Sequence, residues 1–301
     1  MLRYIISGGN GNIGNEISRL LLKQHDEVCY LSRQTGFSGN IYKYKWNIET
    51  GETDSRWLTN TDTIIHLAGA GVSQNKWTDS YKKEIYNSRI QSTRFLYETL
   101  KNNPHSVKTF IGTSAIGIYK DTLNESADEN YSSGDSFLAK VCKDWENEAL
   151  KISSLGIRVV IIRVGIVLSP NSGFIKEVSK PIKYFVGAAL GNGRQMMSWI
   201  HIDDLCRIFI RAAEDTNLSG IFNAVAPHPV NNKTATKKIA EQMKRKIRMP
   251  NVPLFMLKLL FGEIAEMLVA DQNISSKKIQ DAGFRFQFSD IDSALDDILK
   301  Y

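Results

Sequence analysis

Hydrophobic positions along the first half of the chain follow two rhythms in turn. Residues 2–7 are a short apolar run that stops at a glycine-rich turn, and beyond it Ile13, Ile17, Leu20 and Leu21 recur at helical spacing to about residue 24. Compact apolar runs return at 27–32, 62–67, 108–113 and 157–164, and stretches with helical periodicity lie between them, notably 77–101 and 137–153. Such alternation of strand and helix predicts an α/β chain with a Rossmann-type doubly wound parallel sheet.

After residue 170 the rhythm loosens. SPNSGF leads into a helical stretch at 174–186, a glycine-containing loop GAALGNGRQ and a helix behind SWIHIDD. The pattern predicts a Rossmann domain over 1–170, its sheet open to completion by later segments. A smaller α+β lobe over 171–301 would cover the carboxyl ends of the strands, where open sheets take ligands. KKIAEQMKRKIR (237–248) reads as an amphipathic helix with a solvated basic face. VPLFMLKLLFGEIAEMLVA (252–270) reads as a packed helix of the lobe. Lys258, Gly262, Glu263 and Glu266 interrupt it, so it falls short of the roughly 20 apolar residues of a membrane span.

Composition narrows the class only a little. With 301 residues, 42% hydrophobic and 23% charged, the chain is an ordinary globular protein, which excludes disordered and fibrous classes. Its net charge of +6 suits an anionic ligand. No nucleic-acid partner is expected, since the densest basic stretch has the periodicity of a helix face, and no membrane partner, since no apolar run is long enough to span a bilayer. Cys29, Cys142 and Cys206 have no paired spacing for a zinc site or redox dithiol, and no metal is expected. A reducing cytoplasm is the simplest compartment, and no leader-like apolar stretch of about 7–15 residues opens the chain.

Candidate chemistry begins at SGGNGNIG (7–14). Gly8, Gly11 and Gly14 stand between a predicted strand and a predicted helix, with Asn12 and Ile13 inside the turn. The first glycine permits a tight turn, the second lets backbone approach a pyrophosphate, and the third lets the helix pack on the sheet. The helix N-terminus favours the anion, so the turn predicts a dinucleotide site. At the end of the second strand, where an acid would take the ribose hydroxyl of NAD, the chain carries Ser32 and Arg33. A hydroxyl and a guanidinium suit a 2′-phosphate, which predicts NADP(H).

With these features, HLAGAGV (66–72) and KWTDSYKKEIYNSRIQSTRFL (76–96) make the chain resemble the extended short-chain dehydrogenases/reductases. Within them it is most similar to the nucleoside-diphosphate-sugar epimerase-like group of epimerase family proteins. The likeness continues through SAIGIY (114–119), FLAKVCKDWE (137–146), IRVGIVLSP (162–170), SWIHIDDL (198–205) and NAVAP (223–227). It reaches the tail, from MPNVPLFMLKLLFGE (249–263) to AGFRFQF (282–288), and so covers nearly the whole chain. The resemblance implies that Leu67, Ala68 and Gly69 line the adenosine and nicotinamide-ribose side, and that Glu84 and Arg89 reach the cofactor. A surface ion pair is the other reading of Glu84 and Arg89. His66 reads as a packed strand residue. Arg163 ends an apolar strand and needs a partner, for which the cofactor side is one candidate. Asp203 and Asp204 precede a helix, so capping competes with catalysis there. By resemblance, His201 lies beside the substrate lobe.

Extended reductases and epimerases pair a Ser or Thr with Tyr-x-x-x-Lys. Ser114 fits the serine, but DSFLAKVCKDWE (135–146) has no tyrosine, and Lys140 and Lys143 are out of register. The Tyr97–Lys101 pair precedes the serine strand and is incidental. Two readings follow. One is an NADP-dependent oxidoreductase or epimerase with an altered acid/base set of Ser114, Tyr119 and His201, acting on a small carbonyl, alcohol or sugar nucleotide. The other is a nucleotide-binding sensor that has lost its chemistry. The helix at 77–101 is a candidate homodimer contact, though its apolar stripe equally suits burial within one chain.

Overall fold

The computed structural model describes residues 1–123, 125–170 and 172–300. Its first half consists of β1 (Arg3–Ser7), α1 (Asn12–Lys23), β2 (Glu27–Ser32), β3 (Gly36–Ser38), β4 (Ile41–Asn47), β5 (Glu52–Thr53), β6 (Thr63–His66), α2 (Asp79–Asn102), β7 (Thr109–Ala115), α3 (Phe137–Leu150) and β8 (Arg158–Val164). There follow β9 (Ile166–Leu168), α4 (Gly173–Lys183), β10 (Met196–Met197), β11 (Trp199–His201), α5 (Ile202–Glu214), β12 (Gly220–Ala224) and β13 (Val230–Asn231). The chain closes with α6 (Asn232–Gln242), α7 (Leu254–Phe261), α8 (Ile264–Val269), α9 (Lys277–Asp281) and α10 (Ile291–Ile298).

The main sheet runs β12-β8-β7-β6-β1-β2-β4-β3, with every pair parallel except β3 on β4, while β5 pairs antiparallel with β4. This is the Rossmann-type doubly wound architecture, with its topological switch between β1 and β6. Both faces are covered, so the strands read as unbroken apolar runs. Ile6, Ile111 and Ile162 point to the side of α1 and α5. Ile5, Phe110 and Ile161 point to the side of α2 and α3. Side-chain caps fix where the second pair of helices begins: Thr78 accepts from Tyr81 N–H and Ser136 from Ala139 N–H.

Four strands of the sheet escape the sequence pattern: the short β3 and β5, and the longer β4 and β12. In β4, IYKYKWN alternates aromatics with lysines, as suits a half-buried strand near the sheet edge. The other longer one, β12, lies beyond residue 170, pairs with β8 and extends the sheet. α4, α6 and α10 build a separate small core with β10, β11 and Leu168.

Two helical expectations need correction. The basic stretch 237–248 is helical only to Gln242, because Lys244 turns to φ +54° and Arg245 N–H returns to the Ala240 carbonyl. The apolar stretch 252–270 forms two short helices broken at Gly262, and α7 is not packed: Leu257 is its one buried residue. Among the described residues, no helix is long and apolar enough to cross a membrane.

Candidate cofactor and active site

Because the seven parallel strands share one direction, the ends of β1, β2, β6, β7 and β8 meet at one edge, where β1 feeds α1 through the glycine turn. Gly8 has φ +73°, and a Cβ there would lie 2.9 Å from the backbone of Leu67 and Ala68. On Gly14 a Cβ would lie 2.7 Å from the Gly8 carbonyl oxygen and the Gly9 Cα. Side chains are excluded at both positions. Gly9 carries a further constraint that the three-glycine spacing did not single out: it lies against the Tyr30 ring with no room for a Cβ.

Gly11 donates to the Gly8 carbonyl at 3.0 Å and caps α1 without a side-chain bond. The first amides of the helix, at Asn12, Ile13 and Gly14, are therefore not covered by a capping side chain and suit an anion. The Asn12 side-chain amide donates to Ser169 Oγ at 3.0 Å, which ties the start of α1 to the segment after β9.

β2 ends alongside. Ser32 is half-buried, its Oγ accepting from Gln34 N–H at 3.4 Å, and Arg33 is exposed with no ion pair among the described residues. Across the switch, Leu67 N–H donates to the Ser7 carbonyl at 3.0 Å and Ala68 N–H to Ser7 Oγ at 3.4 Å. A Cβ on Gly69 would lie 3.1 Å from the Arg89 guanidinium carbon. Arg89 donates to the Ile85 carbonyl at 3.0 Å and sits 5.2 Å from the Trp145 ring centroid. Burial lowers its pKa, and no carboxylate pairs with it among the described residues. Glu84 is exposed and forms no ion pair with Arg89. His66 is a fully buried packing residue, with Nδ1 2.6 Å from Ser7 Oγ and Nε2 3.1 Å from the hydroxyls of Ser92 and Thr93. Burial pushes it down to about 3, so it is neutral.

The catalytic candidates lie differently. Ser114, Arg163 and Asn223 are register neighbours on β7, β8 and β12. Arg163 grips Glu146 of α3 through Nε and Nη2 at 2.8 Å each, and its Nη1 donates to Tyr119 Oη at 2.7 Å and the Glu129 carbonyl at 2.9 Å. The partner that Arg163 needs is thus Glu146, rather than a cofactor phosphate. The Tyr119 hydroxyl donates in turn to Asn223 Oδ1 at 2.7 Å. Burial pushes this phenol up to about 12 despite the opposing pull of Arg163. A phenol so held keeps its proton near neutral pH.

The face of α3 turned to the end of β7 presents Leu138, beside Gly117, and Cys142, beside Ser114 and Ala115. These positions are four apart, as in Tyr-x-x-x-Lys, but carry neither phenol nor ammonium. Burial pushes the Cys142 thiol up to about 11. Ser114 Oγ is buried and has no hydrogen-bond partner among the described residues. His201 stands apart as the N-cap of α5: Nδ1 accepts from Asp203 N–H at 3.1 Å, and the ring stacks on Phe288 at 3.8 Å. Its Nε2 lies 3.4 Å from Asp297, and burial lowers its pKa. Asp204 is also structural, accepting from the backbone amides of Gln287 and Phe288.

A family model described as the NAD dependent epimerase/dehydratase family matches residues 4–226, and one described as a domain of unknown function, DUF1731, matches residues 252–298. An epimerase family protein of Mycobacterium leprae is 34% identical, over 96% of this chain and 93% of its own. One of Staphylococcus saprophyticus is 32% identical over 99% and 100%. A human epimerase family protein, isoform 2, whose structure was solved with NADPH, superposes with a TM-score of 0.90 at 26% identity, covering 99% of each chain. A glycine turn, a doubly wound sheet and a C-terminal segment that match along the whole length place this chain in the NAD dependent epimerase/dehydratase family, among its epimerase family proteins.

Proposed function

We propose that the chain binds NADP(H) and acts as an oxidoreductase or epimerase on a small carbonyl, alcohol or sugar nucleotide. One observation carries the reading: Ser32 and the unpaired, exposed Arg33 end β2 beside an uncapped α1 N-terminus, with no acid to take a ribose 2′-hydroxyl. The human relative solved with NADPH supports it. In this reading the amides of Asn12, Ile13 and Gly14 hold the pyrophosphate, Ser32 and Arg33 the 2′-phosphate, and Leu67, Ala68 and Gly69 border the rest. Arg89, a cation without a carboxylate partner behind Gly69, supplies positive charge to the same side. Residues 1–170 carry the cofactor and residues 171–301 face the substrate, with β12 and α5 returning to the sheet layer.

Bound NADPH would supply a hydride. The residue proposed to meet the substrate oxygen is Ser114, whose hydroxyl sits beside the Cys142 thiol and has no oxygen or nitrogen partner among the described residues. Tyr119 and His201 hold structure in this reading, and proton supply falls to solvent or to the substrate. Three free, buried cysteines suit a reducing cytoplasm. A second reading, a cofactor-binding sensor without turnover, draws on Leu138 and Cys142 standing at Tyr-Lys spacing. A screen of carbonyls by NADPH absorbance and of sugar nucleotides by epimerisation separates the two. Ser114→Ala should lower turnover by about 100-fold with NADPH affinity unchanged. Tight NADPH binding with no turnover across the screen would favour the sensor.

A further inference from the structure

Ten of the sixteen large hydrophobic side chains exposed among the described residues lie in two segments, 184–186 and 249–261. They include Leu259 at 81%, Phe255 at 71% and Tyr184 at 69% relative exposure, far beyond what scattered surface hydrophobes need. The chain just after the first segment is joined to the second: Val252 N–H donates to the Ala189 carbonyl and Gly191 N–H to the Val252 carbonyl, each at 2.8 Å. The Arg245 guanidinium lies 4.8 Å from the Phe185 ring centroid. These contacts bring the stretches of chain that carry the two exposed segments together into one apolar region.

The face is also basic. Lys183, Lys244, Arg245, Lys246 and Arg248 are exposed or flank it, and none forms an ion pair among the described residues, whereas Lys258 is tied to Glu266 at 3.1 Å. From residue 242 to 262 the chain has no Asp or Glu. We propose that this face docks on an anionic lipid surface, with the apolar side chains of α7 and Phe185 at the headgroup boundary and the cations against acidic headgroups. No described helix can cross a bilayer, so the contact is peripheral. A second copy is the poorer occupant, because a twofold contact would set this patch against itself and bring its unpaired cations together. Glu263, which precedes α8, pairs with Lys82 in the first turn of α2 at 2.5 Å, which ties this end of the face to the start of α2.

The test is flotation of the full chain with vesicles of phosphatidylcholine alone or with added phosphatidylserine, at rising salt. Binding is expected only with phosphatidylserine and should fall as salt rises. Lys244→Glu with Arg245→Glu should weaken it more than about tenfold. Phe255→Ser with Leu259→Ser should weaken it at every salt concentration, because the inserted side chains are gone. Both double variants should keep the melting temperature and NADPH affinity of the parent. The proposal is overturned by absence of flotation with phosphatidylserine, by equal binding to both vesicle types, or by double variants that bind like the parent. A dimer in sedimentation that Phe255→Ser with Leu259→Ser dissolves would also overturn it, by assigning the face to a second copy.

Discussion

Arg163 and Glu146 are each nearly fully buried and satisfy one another in a two-bond grip. Removing one member strands the other charge away from water. Arg163→Met should therefore cost about 3–5 kcal/mol of stability in denaturant titration, and the folded protein should keep its NADPH affinity. Tyr119→Phe removes a bond to each of Arg163 and Asn223, and should cost about 1–2 kcal/mol without altering the pH profile of any turnover. A pH profile that does change would return Tyr119 to catalysis. That Arg163 needed a partner was legible from an apolar strand ending in a charge. Its identity was not, because only the packing of α3 on the sheet brings Glu146 to it. His201 was equally opaque: its place beside SWIHIDD fits a site and a cap alike, and only the packed structure shows the cap bond to the Asp203 amide and the stack on Phe288.

At the scale of elements, the turn between β1 and α1 joins fold and site. Gly14→Ala drives a methyl against the Gly8 carbonyl and the Gly9 backbone, so α1 must move off the sheet or the turn must open. NADPH affinity should fall by more than about tenfold, with a stability loss of about 1–3 kcal/mol, both readable by calorimetry. An unchanged affinity would mean that the turn does not hold the cofactor. This turn was plain in the sequence, as were β1, β2, β6, β7 and β8, since burial on both faces leaves apolar runs that nothing else resembles. β4 was hidden because one of its faces is wet and lysines interrupt its aromatics. β12 was hidden because it is short and falls outside the early rhythm. α7 misled because its apolar composition implies burial, while its neighbours cover only Leu257.

For the whole molecule, buried neutral imidazoles make stability depend on pH. His66, pushed from an ordinary value of 6.5 to about 3, and His201, also lowered, stabilise the fold in full above the unfolded value. As pH falls below it, the unfolded chain gains protons that the folded chain refuses, and the contribution shrinks. For His66 alone the loss between pH 6.5 and 4 should be on the order of 3 kcal/mol. Equilibrium unfolding across that range should show the fall, and His66→Asn should make it shallower. A fall of equal steepness in the variant would assign it to carboxylates. Cofactor choice is read most directly by calorimetric titration of NADPH and NADH into the parent chain and Arg33→Asp. The parent should prefer NADPH and the variant should reverse the order, because the new carboxylate repels a 2′-phosphate and accepts from a ribose hydroxyl. Equal affinities in the parent, or a preference that Arg33→Asp leaves in place, would contradict the NADP(H) reading.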